Sequence, residues 1–171
     1  MKRSAKVSKR NESDDKGRPV AESRTEMTEM VLPQEANLLG NILGGRVMHF
    51  IDIAGAIAAH RHCHCQVVTA SVDHLDFLNP IRVGELIVLE AQVNRAFHTS
   101  LEVGVEVFSE NYSKGDRKHT TTAFLTFVAI DEIGNPCPVP PLIVSSDEER
   151  RRFREAGERR KARLAMRKGG R

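Results

Sequence analysis

The chain predicts an α+β domain in which one long apolar helix lies on an antiparallel sheet. Three observations point there. Residues 44–59 are apolar and proline-free, apart from Arg46, His49 and Asp52, and they open on the glycine pair Gly44-Gly45. Beyond them the apolar spacing changes from the helical period to alternation, which marks strands. Short turns separate those alternating segments, and short connections pair strands antiparallel. A helix laid on one face of such a sheet buries an apolar face of each, and 171 residues suit one domain.

Taken in order, residues 1–18 are polar and aperiodic and read as a disordered tail. Residues 21–32 read as a first strand, ended by Pro33. Residues 34–41 form a loop carrying Asn37 and Gly40. The helix then opens at Gly44 and fades over residues 60–64. Residues 66–77 are rich in β-branched types and end at Asn79-Pro80. Residues 86–93 follow a Val83-Gly84 turn. Leu101, Val103, Val105 and Val107 alternate with polar or small residues over residues 101–110. After the turn signal Lys114-Gly115-Asp116, residues 120–130 form a long strand. Residues 147–168 read as a charged helix, because Glu and Arg recur three and four apart. One helix cannot cover a five-stranded sheet, so a second subunit is expected to extend it, a homodimer being the economical route.

The formal charge of +3 conceals a segregation. Residues 1–18 hold seven basic and three acidic groups, and residues 147–171 hold eleven and five. Residues 19–146, the expected domain, hold eight basic and fifteen acidic groups. Basic ends of this kind are expected to be solvated. With one Tyr, no Trp and an acidic centre, the chain does not read as a nucleic-acid binder. Three cysteines make no disulfide framework, and no apolar run reaches the ~18 residues needed to cross a bilayer. A reducing cytoplasm, away from any membrane, is the expected location. The cluster His60-Arg61-His62-Cys63-His64-Cys65 lacks a second ligand pair elsewhere, so no metal site is expected.

Asp52 carries the strongest chemical signal. On a helix apolar all round, its carboxylate would be buried and costly to desolvate unless paired or used. Gly44 and Gly45 leave the first helical N–H groups unshielded at the positive end of the helix dipole, which suits an oxyanion. The same glycines also suit close helix–sheet packing, and Asn37 also suits a turn. Eight residues separate Gly44 from Asp52, roughly 12 Å of helix. One Asp52 therefore cannot meet its own helix start at one reaction centre. If the two cooperate, Asp52 must meet Asn37 and Gly44 of another subunit.

The run from Pro33 through Gly40-Asn41-Ile42-Leu43-Gly44-Gly45, then Met48, Ile51-Asp52 and Ala54-Gly55-Ala56, resembles the hotdog-fold acyl-CoA thioesterases. It is most similar to their cytosolic acyl-CoA hydrolase group. Asp76-Phe77-Leu78-Asn79-Pro80, Thr99-Ser100-Leu101-Glu102, Thr126-Phe127-Val128 and Pro138-Val139-Pro140-Pro141 extend the resemblance over about residues 25–155. It implies a sheet wrapped around the helix, and a homodimer with one continuous sheet, commonly assembled as a trimer of dimers. It further implies catalytic roles for Asp52 and Asn37 from opposite protomers, Asp52 as general base on water or as a nucleophile forming an anhydride, with acyl-CoA as substrate and no separate cofactor. Arg95, His98, Thr99 and Ser100 match the turn that receives the CoA arm in that family. Two other outcomes stay open at this level: a 3-hydroxyacyl thioester dehydratase of the same fold, and a non-catalytic acyl-CoA sensor.

Overall fold

The computed structural model describes residues 16–73 and 75–169, so the expected basic tail lies almost wholly outside the described residues. Two residues, β1 (Arg18–Pro19), pair in parallel with β7 (Leu142–Ile143). The main sheet is antiparallel and holds β2 (Thr25–Met30), β3 (Gln66–Val72), β4 (Leu86–Ala96), β5 (Ser100–Glu110) and β6 (Arg117–Ile130). Its order is β2-β4-β5-β6-β3. Helix α1 (Gly44–Cys63) lies on one face and α2 (Asp147–Gly169) on the other. This is the hotdog arrangement, an antiparallel sheet curled about one long helix.

The inner face follows directly from the alternation. Leu101, Val103, Val105 and Val107 of β5 are fully buried, as are Leu89 and Val93 of β4 and Leu125 and Phe127 of β6. Each such side chain contributes about 1.5–3 kcal/mol of burial. They meet Val47, Phe50, Ile51, Ala54 and Ala58 of α1. Gly55 fits closely here, since a Cβ would sit 3.1 Å from the Phe127 ring and the ring would have to give way. Its smallness brings helix and sheet into contact.

Three expectations change. The first strand starts at Thr25, because residues Val20–Ser23 form a turn of 3-10 helix. There the Ser23 hydroxyl donates to the Val20 carbonyl and accepts from the Val93 N–H, a local bond that competes with extension. The strand expected over residues 66–77 stops at Val72. After Asp73, whose N–H donates to the Phe124 carbonyl, the chain leaves the ladder, and Phe77 packs beside Gly44. Finally, α1 is not buried all round. Met48, Asp52 and Ile57 lie on a stripe open to solvent or partly so. That stripe is itself largely apolar, which is why the sequence shows no polar face.

Nor is the C-terminal segment a solvated tail. Ser146 and Glu149 form a capping box that starts α2: Glu149 N–H donates to Ser146 Oγ, and Ser146 N–H to the Glu149 carboxylate. Ala156 is fully buried against the sheet. Arg152, Arg159 and Arg163 reach down to Glu106, Glu102 and Asp73. Glu102 is completely buried, and its carboxylate receives the Arg159 guanidinium fork and the Asn94 amide. A buried charge of this kind is tolerable only when paired and hydrogen-bonded.

At the C-terminal end of α1, His62 is also fully buried and donates Nε2–H to the Pro140 carbonyl at 2.9 Å. Burial pushes its pKa below the ordinary histidine value, so the folded state holds it neutral. Unfolding is therefore neutral in protons above about pH 7 and takes up a proton as pH drops below the unfolded value near 6.5. Thermal unfolding followed from pH 8 to pH 5 should show stability falling by at most about 1.4 kcal/mol per pH unit from this group. His62→Gln should flatten that slope.

Candidate active site

Asn37 sits in the loop before α1, and its side chain is committed. Its Oδ1 accepts the N–H groups of Leu39 at 2.9 Å and Asn41 at 3.2 Å, a turn closed by Asn's own short side chain. Gly40, at φ +76°, continues that turn in a conformation glycine adopts without strain. With Oδ1 used internally, the amide N–H groups on Asn37 Nδ2 remain as donors on an exposed residue. The loop is anchored to the helix by Glu35, whose Oε1 accepts from Arg46 Nε at 2.7 Å. Partial burial would raise the Glu35 pKa, but the Leu32 N–H and Arg46 outweigh it and hold the carboxyl below its usual range.

The start of α1 has no side-chain cap. The N–H groups of Arg46 and Val47 both turn back to the Leu43 carbonyl, while those of Gly44 and Gly45 have no acceptor within the helix. The two glycines differ in their surroundings. A Cβ on Gly44 would touch Phe77 at 3.4 Å, whereas one on Gly45 would meet nothing within 4 Å. Packing within this chain therefore does not demand glycine at position 45, and the space above it is open. A cavity of about 350 Å3 adjoins, lined by Asn37, Gly44, Ile42, Val47, Phe77 and Thr120 among others. Its walls are mostly apolar, with Asn37, Asn41, Asn79 and Thr120 as the polar side chains.

Asp52 does not line that cavity. It is partly exposed on the open stripe of α1, and Thr69 Oγ1 donates to its Oδ1 at 2.6 Å. Thr69 lies on β3 beside a bulge, where the register with β6 shifts between Thr69 and Ser71. Bulges re-aim neighbouring side chains. Sequence reading missed Thr69, since one threonine in a β-branched run carries no mark of a partner on another element.

The expected CoA-contacting residues lie at the far end of the sheet from Asn37. Ser100 pairs with Val128, eight residues along β6 from the cavity residue Thr120, or about 27 Å. They lie instead at the level of Asp52, because Thr69 pairs with Phe127 and Phe127 with Leu101. His98 is exposed, Thr99 and Ser100 are partly so, and Arg95 points outward beneath α2. One chain thus places Asn37, Gly44 and Gly45 at one end, and Asp52, Thr69 and the 97–100 turn toward the other.

Burial pushes the Cys63 thiol up to about 11 and Cys137 up to about 12, so neither is a thiolate near neutral pH. His60 and His62 each spend a ring N–H on a backbone carbonyl, those of Cys65 and Pro140. Among the described residues, no three His, Cys, Asp or Glu side chains gather to hold a metal ion, and no helix is long and apolar enough to cross a membrane.

Comparison with known proteins adds the following. The family model for the Thioesterase superfamily matches residues 39–114. The chain is 41% identical over 128 residues to the uncharacterised acyl-CoA thioester hydrolase YkhA of Bacillus subtilis, covering 75% of this chain and 74% of that protein. It is 38% identical to mouse acyl-coenzyme A thioesterase 11, with 85% of this chain spanning 25% of that longer protein. A crystal structure of a hexameric acyl-CoA thioesterase superposes with a TM-score of 0.84 at 43% identity, covering 87% of this chain and 96% of that one. An acyl-CoA hydrolase from Staphylococcus aureus, solved with butyryl-CoA and CoA, superposes at 0.81 with 35% identity, covering 90% and 95%. Three alanine variants of the S. aureus enzyme, at an Asn, an Asp and a Thr, have also been solved. Those three positions are spaced as Asn37, Asp52 and Thr69 are here.

Because the space over Gly45 is open, Gly45→Ala should fold normally. Its thermal midpoint should match the wild type or rise, helix propensity adding up to about 1 kcal/mol of stability.

Proposed function

The chain belongs to the thioesterase superfamily, and we propose that it hydrolyses acyl-CoA to a free carboxylic acid and CoA at a site shared between two protomers. The observation that carries the proposal is the separation of Asp52–Thr69 from Asn37–Gly44 within one chain. Each half-site lies beside surface that asks for a partner. β3 is an edge strand with unpaired backbone and exposed Val68 and Val72, which invites a second strand. Met48 and Ile57 on α1, with Leu38 and Leu39 before it, add exposed apolar surface around the same region.

A two-fold partner added at β3 runs antiparallel, so the helix start of one protomer approaches the Asp52 level of the other. The site then holds Asn37, Gly44 and Gly45 from one chain and Asp52 and Thr69 from its partner. Asp52, held at Oδ1 by the Thr69 hydroxyl, takes a proton from water through its free oxygen as that water attacks the thioester carbonyl. The carbonyl oxygen becomes an oxyanion and receives the Gly44 and Gly45 N–H groups and the Asn37 side-chain amide N–H. Collapse expels the CoA thiolate, whose conjugate thiol has a pKa near ~8.5, so no dedicated general acid is required. The proton on Asp52 passes to solvent or to the thiolate. Water is the only co-substrate, and no cofactor enters.

Assembly belongs to the same proposal: a homodimer joined at β3, and three dimers in a hexamer, as supported by the hexameric structural neighbour. So does a cytoplasmic location, which suits the three free cysteines. A dehydratase is disfavoured because it wants a catalytic His paired with an acid, and His49 lies one turn from Asp52 with no recorded bond to it.

Asp52→Asn should reduce CoA release, read with a thiol reagent, by a factor of about 10³ or more, and Asn37→Ala by about 10²–10³. Thr69→Val should lower kcat by about tenfold, with a smaller change in KM. Mixing the inactive Asp52→Asn and Asn37→Ala proteins under exchange tests sharing directly. Random reassortment gives one intact site per mixed dimer, hence about a quarter of wild-type activity. No recovery despite demonstrated exchange would rule out the shared site, and wild-type turnover by Asp52→Asn would remove the mechanism. Binding of acyl-CoA without turnover by the wild type would favour the sensor.

A further inference from the structure

Helix α2 crosses the outer face of the sheet strand by strand, and its contacts fix where it leaves. Glu149 meets Arg24, just before β2. Phe153 stacks on Arg95 of β4 at 4.2 Å, a bulge between Val93 and Arg95 having turned Asn94 and Arg95 outward. Arg159 meets Glu102 of β5 and lies 3.6 Å from the centroid of the Phe124 ring of β6. Arg163 meets Asp73, the residue after β3. These contacts share one level of the sheet, since Gln92 pairs with Gly104 and Gly104 with Phe124, whose carbonyl receives the Asp73 N–H. The helix therefore runs across the strands. From Glu149 to Arg163 it rises about 21 Å, against about 19 Å for the four strand spacings of the sheet.

At Arg163 the sheet ends, but α2 continues to Gly169, about 9 Å farther, or nearly two strand spacings. Ala156 and Gly157 are buried on the sheet, whereas Leu164 is 45% and Met166 77% exposed. Both stand beyond the surface that the rest of the helix covers. Residues 160–171 hold six basic groups and no acidic one. An apolar and cationic helix end thus projects past the β3 edge.

The other end of that edge carries a matching surface. Gln66 pairs with Ile130, so the 131–135 turn lies beside the start of β3. Ile133 there is 78% exposed, and Asp131 and Glu132 are exposed beside it. Thr69 faces inward to Asp52, so Val68 faces outward, on the side of α2, and it too is exposed. A second copy paired antiparallel along the whole of β3 sets Asp73 opposite Cys65 of the partner subunit. The overhanging helix end then lies across the 131–135 turn and β3 of that copy, apolar on apolar and basic on acidic.

We propose that the end of α2 is a clamp across the dimer seam, with Leu164 and Met166 seated on Ile133 and Val68 of the partner subunit. Two-fold symmetry makes the contact twice. This clamp rests on the β3-joined dimer of the proposed function and adds to it a second layer, helix over sheet.

Light and isotopically heavy full-length proteins, mixed and followed by native mass spectrometry, report the rate of subunit exchange and whether monomers or dimers exchange. Leu164→Glu combined with Met166→Glu should speed monomer exchange by about tenfold or more, and Leu164→Ala with Met166→Ala by a smaller factor. Arg163 stays in both variants, so α2 keeps its anchor on Asp73, and circular dichroism with the thermal midpoint establishes folding. Benzoylphenylalanine in place of Met166 should photo-cross-link light to heavy chains, the adduct mapping to residues 66–68 or 130–135. Unchanged monomer exchange in the Glu variant, or an adduct that maps elsewhere or stays within one chain, overturns the clamp and leaves the dimer standing. Faster exchange of whole dimers alone also overturns it, and assigns the helix end to contacts between dimers. A wild type that stays monomeric removes the β3 dimer itself, and the clamp with it.

Discussion

The fixed rise of α1 constrains everything else about the site. Its start, where Gly44 and Gly45 leave N–H groups without acceptors, and Asp52 lie on one rigid rod roughly 12 Å apart. No loop movement can shorten that distance. The sheet reinforces it, because Thr69 holds Asp52 from β3 while Phe77 and Thr120 surround the Gly44 end. Chemistry that needs both ends together must therefore borrow one of them from a second molecule. The apolar exposed stripe of α1 and the open edge of β3 have the character that such a neighbour would cover.

Residue type alone does not tell what a position is for, and the glycines make the point. Gly55 is small because Phe127 presses on it, and Gly157 because Arg95 does. Gly45 presses on nothing. The first two serve packing within the chain, and the third preserves empty space at a helix start. The two half-site polar groups are likewise fixed by different means. Asn37 is oriented by its own turn, a local device that uses its carbonyl oxygen and frees its amine. Asp52 is oriented by a residue seventeen positions away on another element.

The C-terminal helix shows how a charged surface can be structural. Its Arg152, Arg159 and Arg163 neutralise carboxylates that the outer face of the sheet would otherwise leave unpaired, Glu102 being the extreme case because it is completely buried. This pairing explains why the central residues tolerate their excess of acidic groups, and why a strongly basic segment follows them.

Much of this was legible in the amino-acid order. The long apolar helix, the alternating strands and the separation of Gly44-Gly45 from Asp52 along one helix follow from local periodicity and a fixed helical rise. Those are short-range properties, written in residues close together in the chain. Sequence also misjudged Asp52 as buried, since an exposed apolar stripe on a helix is indistinguishable in sequence from one facing a core. The Thr69–Asp52 bond, the bulge that turns Asn94 and Arg95 outward, and the docking of α2 through Arg159 onto buried Glu102 came only from the tertiary structure. Each depends on strand register or on contact between residues far apart in sequence, and no local pattern specifies which of many arginines or threonines will meet which carboxylate.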